Sequence, residues 1–187
     1  MKNIIWFTCL LLFVGISLHA QRQETLFSHH GGLTGIWGAA TVHFSNYNDD
    51  WTLVRGGYGA LEFGHSVLIG WGSYKFRDEV SIENTADNFK MRYDGLLLGI
   101  TPSSRKLAHP KLTFLIGGGK VFLDDGDRDK VFVFQPSGGL EVNIFRWFRL
   151  GLEGGYRFVG NTDQPNLSNG DLSAPFAQLD FRFGISL

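Results

Sequence analysis

The chain has 187 residues, including 25 Gly, 17 Phe, 5 Trp and 5 Tyr, so glycine and aromatic residues are both enriched. Charged residues make up 19% and apolar residues 43%, which is neither charge-rich enough for a disordered chain nor apolar enough for a bundle of membrane helices. The net charge of −1, with no basic patch, excludes the electrostatic signature of a nucleic-acid binder. The length predicts one domain.

The first 20 residues have the pattern of a secretory signal peptide. Lys2 precedes a mostly apolar run at residues 4–18, and Ala20 precedes a polar stretch. The run is shorter than the roughly 20 residues of a membrane helix. We therefore expect a signal peptide at 1–20 and a periplasmic segment at 21–32. Cys9, the only cysteine, lies inside the apolar run, so the mature chain has no disulfide or thiolate metal site.

Residues 33–187 contain no long amphipathic helical pattern and instead show eight apolar segments that end in turn residues. Each segment has 11 to 15 residues, enough to cross a bilayer as a tilted strand, which takes roughly 9 to 11 residues. The predicted strands are Leu33 to Phe44, Trp51 to Phe63, Ser66 to Phe76, Phe89 to Ile100, Lys111 to Leu123, Lys130 to Ile144, Phe148 to Val159 and Pro175 to Leu187.

The last three segments alternate with a period of two. From Phe148 to Phe158 and from Ala177 to Leu187, apolar residues alternate with Arg, Glu, Asp, Gln, Ser or Gly. The second and fourth segments alternate less regularly, around Gly56-Gly57 and Gly95. We interpret these glycines as β-bulges that restore the phase of the strand.

Such strands fit either a soluble barrel with an apolar core or a membrane barrel with an apolar outer face. Secretion without cysteines, strands of membrane length and aromatic residues near strand ends favour the membrane. We therefore predict an all-β fold, an eight-stranded antiparallel up-and-down transmembrane barrel in the cell outer membrane of a Gram-negative bacterium. The aromatic residues near strand ends are Trp51, Phe63, Tyr74, Phe76, Phe89, Phe122, Phe148 and Phe158.

The connections between the strands alternate in charge. With both ends of the chain in the periplasm, the four outer connections carry twelve acidic and two basic residues, a net charge of −10. The three inner turns carry Arg105, Lys106 and Arg146, a net charge of +3. This pattern supports the same topology, with longer loops outside and shorter turns inside.

The signal peptide, the strand count, the alternating connections and the ending Phe181-Arg182-Phe183-Gly184-Ile185-Ser186-Leu187 resemble the small outer-membrane barrels of the OmpA and OmpX type. The resemblance covers the chain from about residue 33. It implies a monomer inserted by the barrel-assembly machinery and surrounded by outer-membrane lipids and lipopolysaccharide. Because fold does not fix function, the resemblance leaves the specific role open.

The inward polar faces of the strands predict an interior salt-bridge network. Side chains fill the interior of an eight-stranded barrel, so buried charges there must pair with one another to offset desolvation. Glu141 is expected to lie diagonal to Arg149. The predicted set is Lys90, Arg92, Glu141, Arg149, Glu153, Arg157, Asp180 and Arg182.

Two other patterns resemble parts of functional sites. Ser168 and Asp171 would suit a lipid A deacylase of the PagL type only if His43 reached the same loop. The acidic residues Asp124, Asp125, Asp127 and Asp129 resemble the first half of a calcium loop, but Lys130 stands where glycine is expected. We treat them as a candidate divalent-cation loop and assign no metal or cofactor.

The sequence thus favours a non-enzymatic barrel with a plugged polar interior and acidic outer loops, serving envelope integrity or surface interaction. A lipid-modifying enzyme and a small-solute pore remain as alternatives.

Overall fold

The computed structural model describes residues 32–47, 50–77, 80–81, 88–123, 128–162 and 169–186. The predicted signal peptide and residues 21–31 of the predicted periplasmic segment lie outside the described residues.

The described residues form a barrel wall of eight long strands, with one short strand and one short helix in addition. Beyond the ends of the wall, β4 at Val80–Ser81 extends the sheet beside β5, and α1 at Asn169–Leu172 precedes the last strand. The long strands are β1 Leu33–Tyr47, β2 Asp50–Phe63, β3 Val67–Phe76, β5 Asn88–Ile100, β6 Ala108–Leu123, β7 Arg128–Phe145, β8 Phe148–Gly160 and β9 Ala174–Ser186.

The eight long strands pair antiparallel in the order β3-β2-β1-β9-β8-β7-β6-β5, and pairing of β3 with β5 closes the barrel. The predicted fold class is therefore confirmed. Each strand exceeds the usual 5 or 6 residues. No helix among the described residues is long and apolar enough to cross a membrane.

The first inner turn illustrates how sequence dictates a tight hairpin. Phe63 pairs with Val67, and Gly64 and His65 between them have φ angles of 55° and 56°. Glycine adopts a positive φ without steric cost, whereas histidine does so less readily. The turn is held by the amide of His65, which donates to the Thr34 hydroxyl oxygen at 2.9 Å.

The bulges expected at Gly56-Gly57 and Gly95 are absent from the described strands, and that interpretation was wrong. Pairing runs without a shift along β2 with β3 and along β5 with β6. The pairings instead shift near Leu33 and near Phe145, at the inner end of the barrel. The alternation looked irregular because β2 and β5 place apolar side chains on both faces of the wall.

The outer wall is apolar and the inner face is mixed. Large apolar side chains exposed on the wall include Trp71, Leu96, Phe132, Leu152 and Phe183. Of the aromatic residues expected at the membrane interface, Tyr74, Phe76 and Phe89 are instead buried inside the barrel. The sequence signal failed for these three because an aromatic residue at a strand end suits either face.

Candidate functional site

The interior near the inner turns contains an inner ionic cluster, which is Glu62, His109, Glu141, Arg149 and Arg182. Arg182 Nη1 donates to Glu141 Oε2 at 2.9 Å, and His109 Nε2 lies 3.0 Å from Glu141 Oε1. Arg149 Nη1 lies 3.4 Å from Glu141 Oε1 and 3.6 Å from Glu62 Oε1. Two carboxylates thus face two guanidinium groups, all buried, in an arrangement that offsets the desolvation of each charge.

The ring of Trp37 packs against both arginines of the inner ionic cluster. The guanidinium carbon of Arg149 lies 4.1 Å from the ring centroid, and that of Arg182 lies 4.4 Å from it. A desolvated guanidinium is attracted to an indole face by the quadrupole of the ring. Trp37 therefore fixes both arginines while filling volume beside them.

The middle of the interior contains a central ionic cluster, which is Lys111, Glu153 and Asp180. Lys111 Nζ lies 2.5 Å from Asp180 Oδ2 and 2.7 Å from Glu153 Oε1, and it donates to the Tyr58 hydroxyl oxygen at 3.1 Å. The Ser137 hydroxyl donates to Glu153 Oε2 at 2.6 Å. These contacts link strands from opposite sides of the barrel across the lumen.

Arg157 lies nearer the outer end and is fully buried among neutral groups. It donates to the hydroxyl oxygen of Tyr47 at 2.7 Å, and to the Tyr93 hydroxyl and Gln135 Oε1 at 3.0 Å each. Its guanidinium also lies 4.9 Å from the Tyr93 ring centroid. Arg157 is thus held by hydrogen bonds and aromatic faces, in contrast to the arginines of the inner ionic cluster.

The outer half of the interior is filled by an apolar plug. The side chains of Phe76, Phe89 and Tyr47 contact one another, with ring centroids 5.7 to 6.0 Å apart. Leu172, in the α1 turn, is fully buried in the same cluster. The described end of the connection before β9 therefore supplies a side chain to the apolar plug. The other members of the plug include Val54, Tyr74, Val80, Met91, Tyr93, Leu115, Val121, Val131, Val133, Val159 and Ala174.

Six of the eight residues predicted to line the interior are buried there, namely Glu141, Arg149, Glu153, Arg157, Asp180 and Arg182. The expectation for Lys90 and Arg92 was wrong, because both lie on the outer wall. β5 continues in register through Gly95, so Phe89, Met91 and Tyr93 point inward and the two basic residues point outward.

The interior residues that the sequence prediction missed include Tyr58, Glu62, His109 and Lys111. All four are buried. Lys111 and Thr113 alternate with Leu112 and Phe114, a period of two that indicates an inward polar face at the start of β6. That signal was available in the sequence. The placement of Glu62 could have been found only by keeping a continuous alternation through Gly56-Gly57.

Asp124, Asp125 and Asp127 of the candidate divalent-cation loop lie outside the described residues. Asp129 is described, and its carboxylate accepts hydrogen bonds from the Thr162 hydroxyl at 2.9 Å and from the Lys130 amide at 2.7 Å. Among the residues the structure describes, no group of three or more His, Cys, Asp or Glu side chains could hold a metal ion.

The structure does not support the pairing of His43 with Ser168 that a deacylase would require. His43 is buried in the interior, its ring stacked 5.1 Å from Phe176 and its Nδ1 3.3 Å from Arg157 Nη2. Ser168 lies outside the described residues. His43 therefore occupies a packed position in the barrel interior.

No family model and no curated protein matches the chain. Solved structures do. Neisserial surface protein A (NspA) is 8% identical, with a TM-score of 0.59, covering 82% of this chain and 96% of that one. The N-terminal barrel of Pseudomonas aeruginosa OprF is 9% identical, with a TM-score of 0.56, covering 82% and 99%. The attachment invasion locus protein Ail of Yersinia pestis is 12% identical, with a TM-score of 0.50, covering 81% and 99%.

At these identities the likeness concerns the fold. It agrees with the closed eight-stranded wall, whose exposed apolar side chains require a lipid environment. The chain therefore has the fold of the small eight-stranded outer-membrane β-barrels, and its apolar wall belongs in the outer membrane.

Proposed function

We propose that this protein is a sealed, non-enzymatic barrel that acts through its outer surface, in envelope integrity or surface interaction. The observation that supports this proposal is the burial of the described side chains that point into the lumen. Along the lumen the inner ionic cluster, the central ionic cluster, Arg157 and the apolar plug follow one another, and their side chains are buried.

This filling argues against the alternative of a small-solute pore. Four carboxylates and four basic side chains are buried inside, counting His109 as neutral, so the described interior is balanced in charge. Paired charges of this kind hold the strands together, and the apolar plug opposes the passage of polar solutes. A rigid sealed wall leaves the loops and the outer face as the surfaces that partners reach.

The proposed partners are outer-membrane lipids and lipopolysaccharide, with the barrel-assembly machinery needed for insertion. We propose that the protein is a monomer and uses no cofactor. The ending from Phe181 to Ser186 supports recognition by the assembly machinery, because apolar and polar side chains alternate there between the wall and the interior.

Planar bilayer recordings test the sealed lumen. Purified protein, refolded into lipid, should give no stable conductance under conditions in which a sixteen-stranded porin, measured in the same preparation, conducts. Heat-dependent migration on a denaturing gel verifies that the protein is folded before recording. Stable porin-sized currents from the folded protein would overturn the proposal.

Mass spectrometry of lipid A tests the enzyme alternative. Lipid A from cells that produce the protein and from cells that lack it should have the same masses. Loss or gain of one acyl chain only in the producing cells would show a deacylase or acyltransferase and would overturn the non-enzymatic assignment.

A further inference from the structure

Five basic side chains lie next to one another across five neighbouring strands of the outer wall. Arg55 of β2 pairs with Lys75 of β3, and Lys75 pairs with Arg92 of β5. Arg92 pairs with Lys120 of β6, and Lys120 pairs with Lys130 of β7. All five side chains are exposed. We call them the basic row.

The basic row is confined to one side of the barrel. Among the described residues, the outward positions of β8, β9 and β1 carry no charged side chain. Asp94 is the one described acidic side chain on the outer wall of the long strands. Like charges directly opposite each other on neighbouring strands repel. Five in succession, with Asp94 as the one carboxylate beside them among the described residues, favour the binding of an anion.

The row lies at the level of the outer edge of the apolar band. From Arg92 to Ile100, close to the inner turn, β5 covers eight residues, a length of roughly 27 Å along the strand and about 20 Å across the bilayer at the usual tilt. The outward aromatic residues Trp51 and Phe122 lie on the loop side of Arg55 and Lys120. Aromatic belts mark the boundary between hydrocarbon and headgroups, so the cations of the row lie just on the hydrocarbon side of this boundary and reach the headgroups with their long side chains.

A groove on the wall connects three members of the row to apolar side chains. It has a volume of about 600 Å³, and its lining includes Arg92, Lys120, Lys130, Trp71 and Phe122. It is open because Gly118 points outward there, and the nearest atom to an added Cβ would be the Val131 carbonyl oxygen at 3.8 Å. Cations at one edge and exposed aromatic rings beside them match an amphiphile with an anionic head.

We propose that the basic row and its groove bind the phosphate groups of a lipopolysaccharide molecule in the outer leaflet. Arginine and lysine are the side chains that best bind phosphate, the first through paired hydrogen bonds and the second as a point charge. The row spans about 19 Å across four strand spacings, enough for more than one phosphate. Because it faces lipid along the wall, a headgroup reaches it more readily than a soluble polyanion. This inference rests on the proposed placement of the loop end at the cell surface.

The test compares lipid binding by the folded protein and by a variant with Lys75→Gln, Arg92→Gln and Lys120→Gln. The matched control removes three cations at the opposite end of the barrel, with Arg105→Gln, Lys106→Gln and Arg146→Gln. Native mass spectrometry in detergent would measure binding of purified lipid A that carries two phosphates, of enzymatically dephosphorylated lipid A, and of inorganic phosphate.

We expect each row cation to contribute roughly fivefold to binding of phosphorylated lipid A, so the triple variant should bind on the order of a hundredfold more weakly. The inner-end control should bind as the unmodified protein does. Dephosphorylated lipid A should bind weakly to the unmodified protein, the row variant and the inner-end control. Millimolar inorganic phosphate should not compete with phosphorylated lipid A for the row. High salt should weaken the binding, because the cations are exposed.

Equal binding of phosphorylated lipid A by the protein and its row variant would overturn the proposal, and so would equal binding of the dephosphorylated lipid. If the triple variant does not fold, the single changes Lys75→Gln and Arg92→Gln replace it, each with an expected loss of about fivefold, and Arg92→Lys should retain most of the binding. Conductance is recorded separately, so failure of the sealed-lumen proposal and failure of lipid binding are distinguishable.

Discussion

Lys111 Nζ lies 2.5 Å from Asp180 Oδ2, although the two residues are 69 positions apart and their strands, β6 and β9, are not neighbours in the sheet. The contact therefore crosses the lumen and joins opposite walls. It also leaves one ammonium group between two carboxylates, because Glu153 contacts the same nitrogen at 2.7 Å.

Replacing this lysine should be costly. Lys111→Met leaves Glu153 and Asp180 buried beside each other without a cation, and we expect the free energy of unfolding to fall by about 3–5 kcal/mol. Denaturant titration in lipid vesicles free of lipopolysaccharide measures this change in the free energy of unfolding. The matched change Lys120→Met, on the exposed face of the same strand, should alter stability by less than about 1 kcal/mol. Equal effects of both changes would contradict the central ionic cluster.

Removing the carboxylate partner of two buried arginines should destabilise the barrel more than removing the arginine that neutral groups hold. Glu141→Gln leaves Arg149 and Arg182 with Glu62 as their shared carboxylate, and we expect a loss of about 3–5 kcal/mol. Arg157→Met removes hydrogen bonds to neutral groups and exposes no opposite charge, so the loss should be about 1–3 kcal/mol. Unfolding midpoints of both variants give the order. A larger loss for Arg157→Met would show that its neutral partners matter more than the ionic pairs.

Gly139 lies where two strand backbones approach too closely for a side chain. An added Cβ would collide with the carbonyl oxygen of Leu152 on the neighbouring strand. Gly139→Ala should therefore destabilise the barrel by about 1–3 kcal/mol. Gly154→Ala on that neighbouring strand is the control, because the nearest atom to its Cβ would be 3.9 Å away. Heat-dependent gel migration and unfolding midpoints would reveal the difference, and equal stability of the two variants would argue against close backbone packing at Gly139.

The candidate divalent-cation loop gives a prediction about protease cutting. Asp125 and Asp127 would share a calcium or magnesium ion with lipid phosphates, since hard cations accept oxygen ligands from both. In membranes that contain lipopolysaccharide, chelation should increase cutting between residues 124 and 127. The pair Asp125→Asn and Asp127→Asn should abolish the protection, whereas Asp129→Asn should have a smaller effect because that carboxylate already accepts hydrogen bonds from Thr162 and Lys130. Equal cutting with and without divalent ions would exclude the linkage.

The barrel itself was predictable from the sequence because its signals are local. In the parts of β7, β8 and β9 nearer the inner turns, the outward residues are mostly apolar and the inward residues are polar or glycine, so the period of two identifies both strand and face. The diagonal contact of Glu141 with Arg149 also follows from the short turn between β7 and β8, and the two side chains lie 3.4 Å apart. The length of the strands, in turn, indicated that the barrel crosses a membrane.

In β3 and β5 the faces could not be predicted, because Phe76, Phe89 and Met91 are as apolar as the lipid-facing residues beside them. A strand with both faces apolar carries no period, and only closure of the barrel decides which side chains enter the lumen. Closure also placed Lys90 and Arg92 outside. The sequence alone thus determined the wall, the strand count and six of the nine residues of the ionic interior. The tertiary structure decided the apolar plug and the basic row, because both depend on the register between strands and on which face of each strand enters the lumen, which local patterns do not encode.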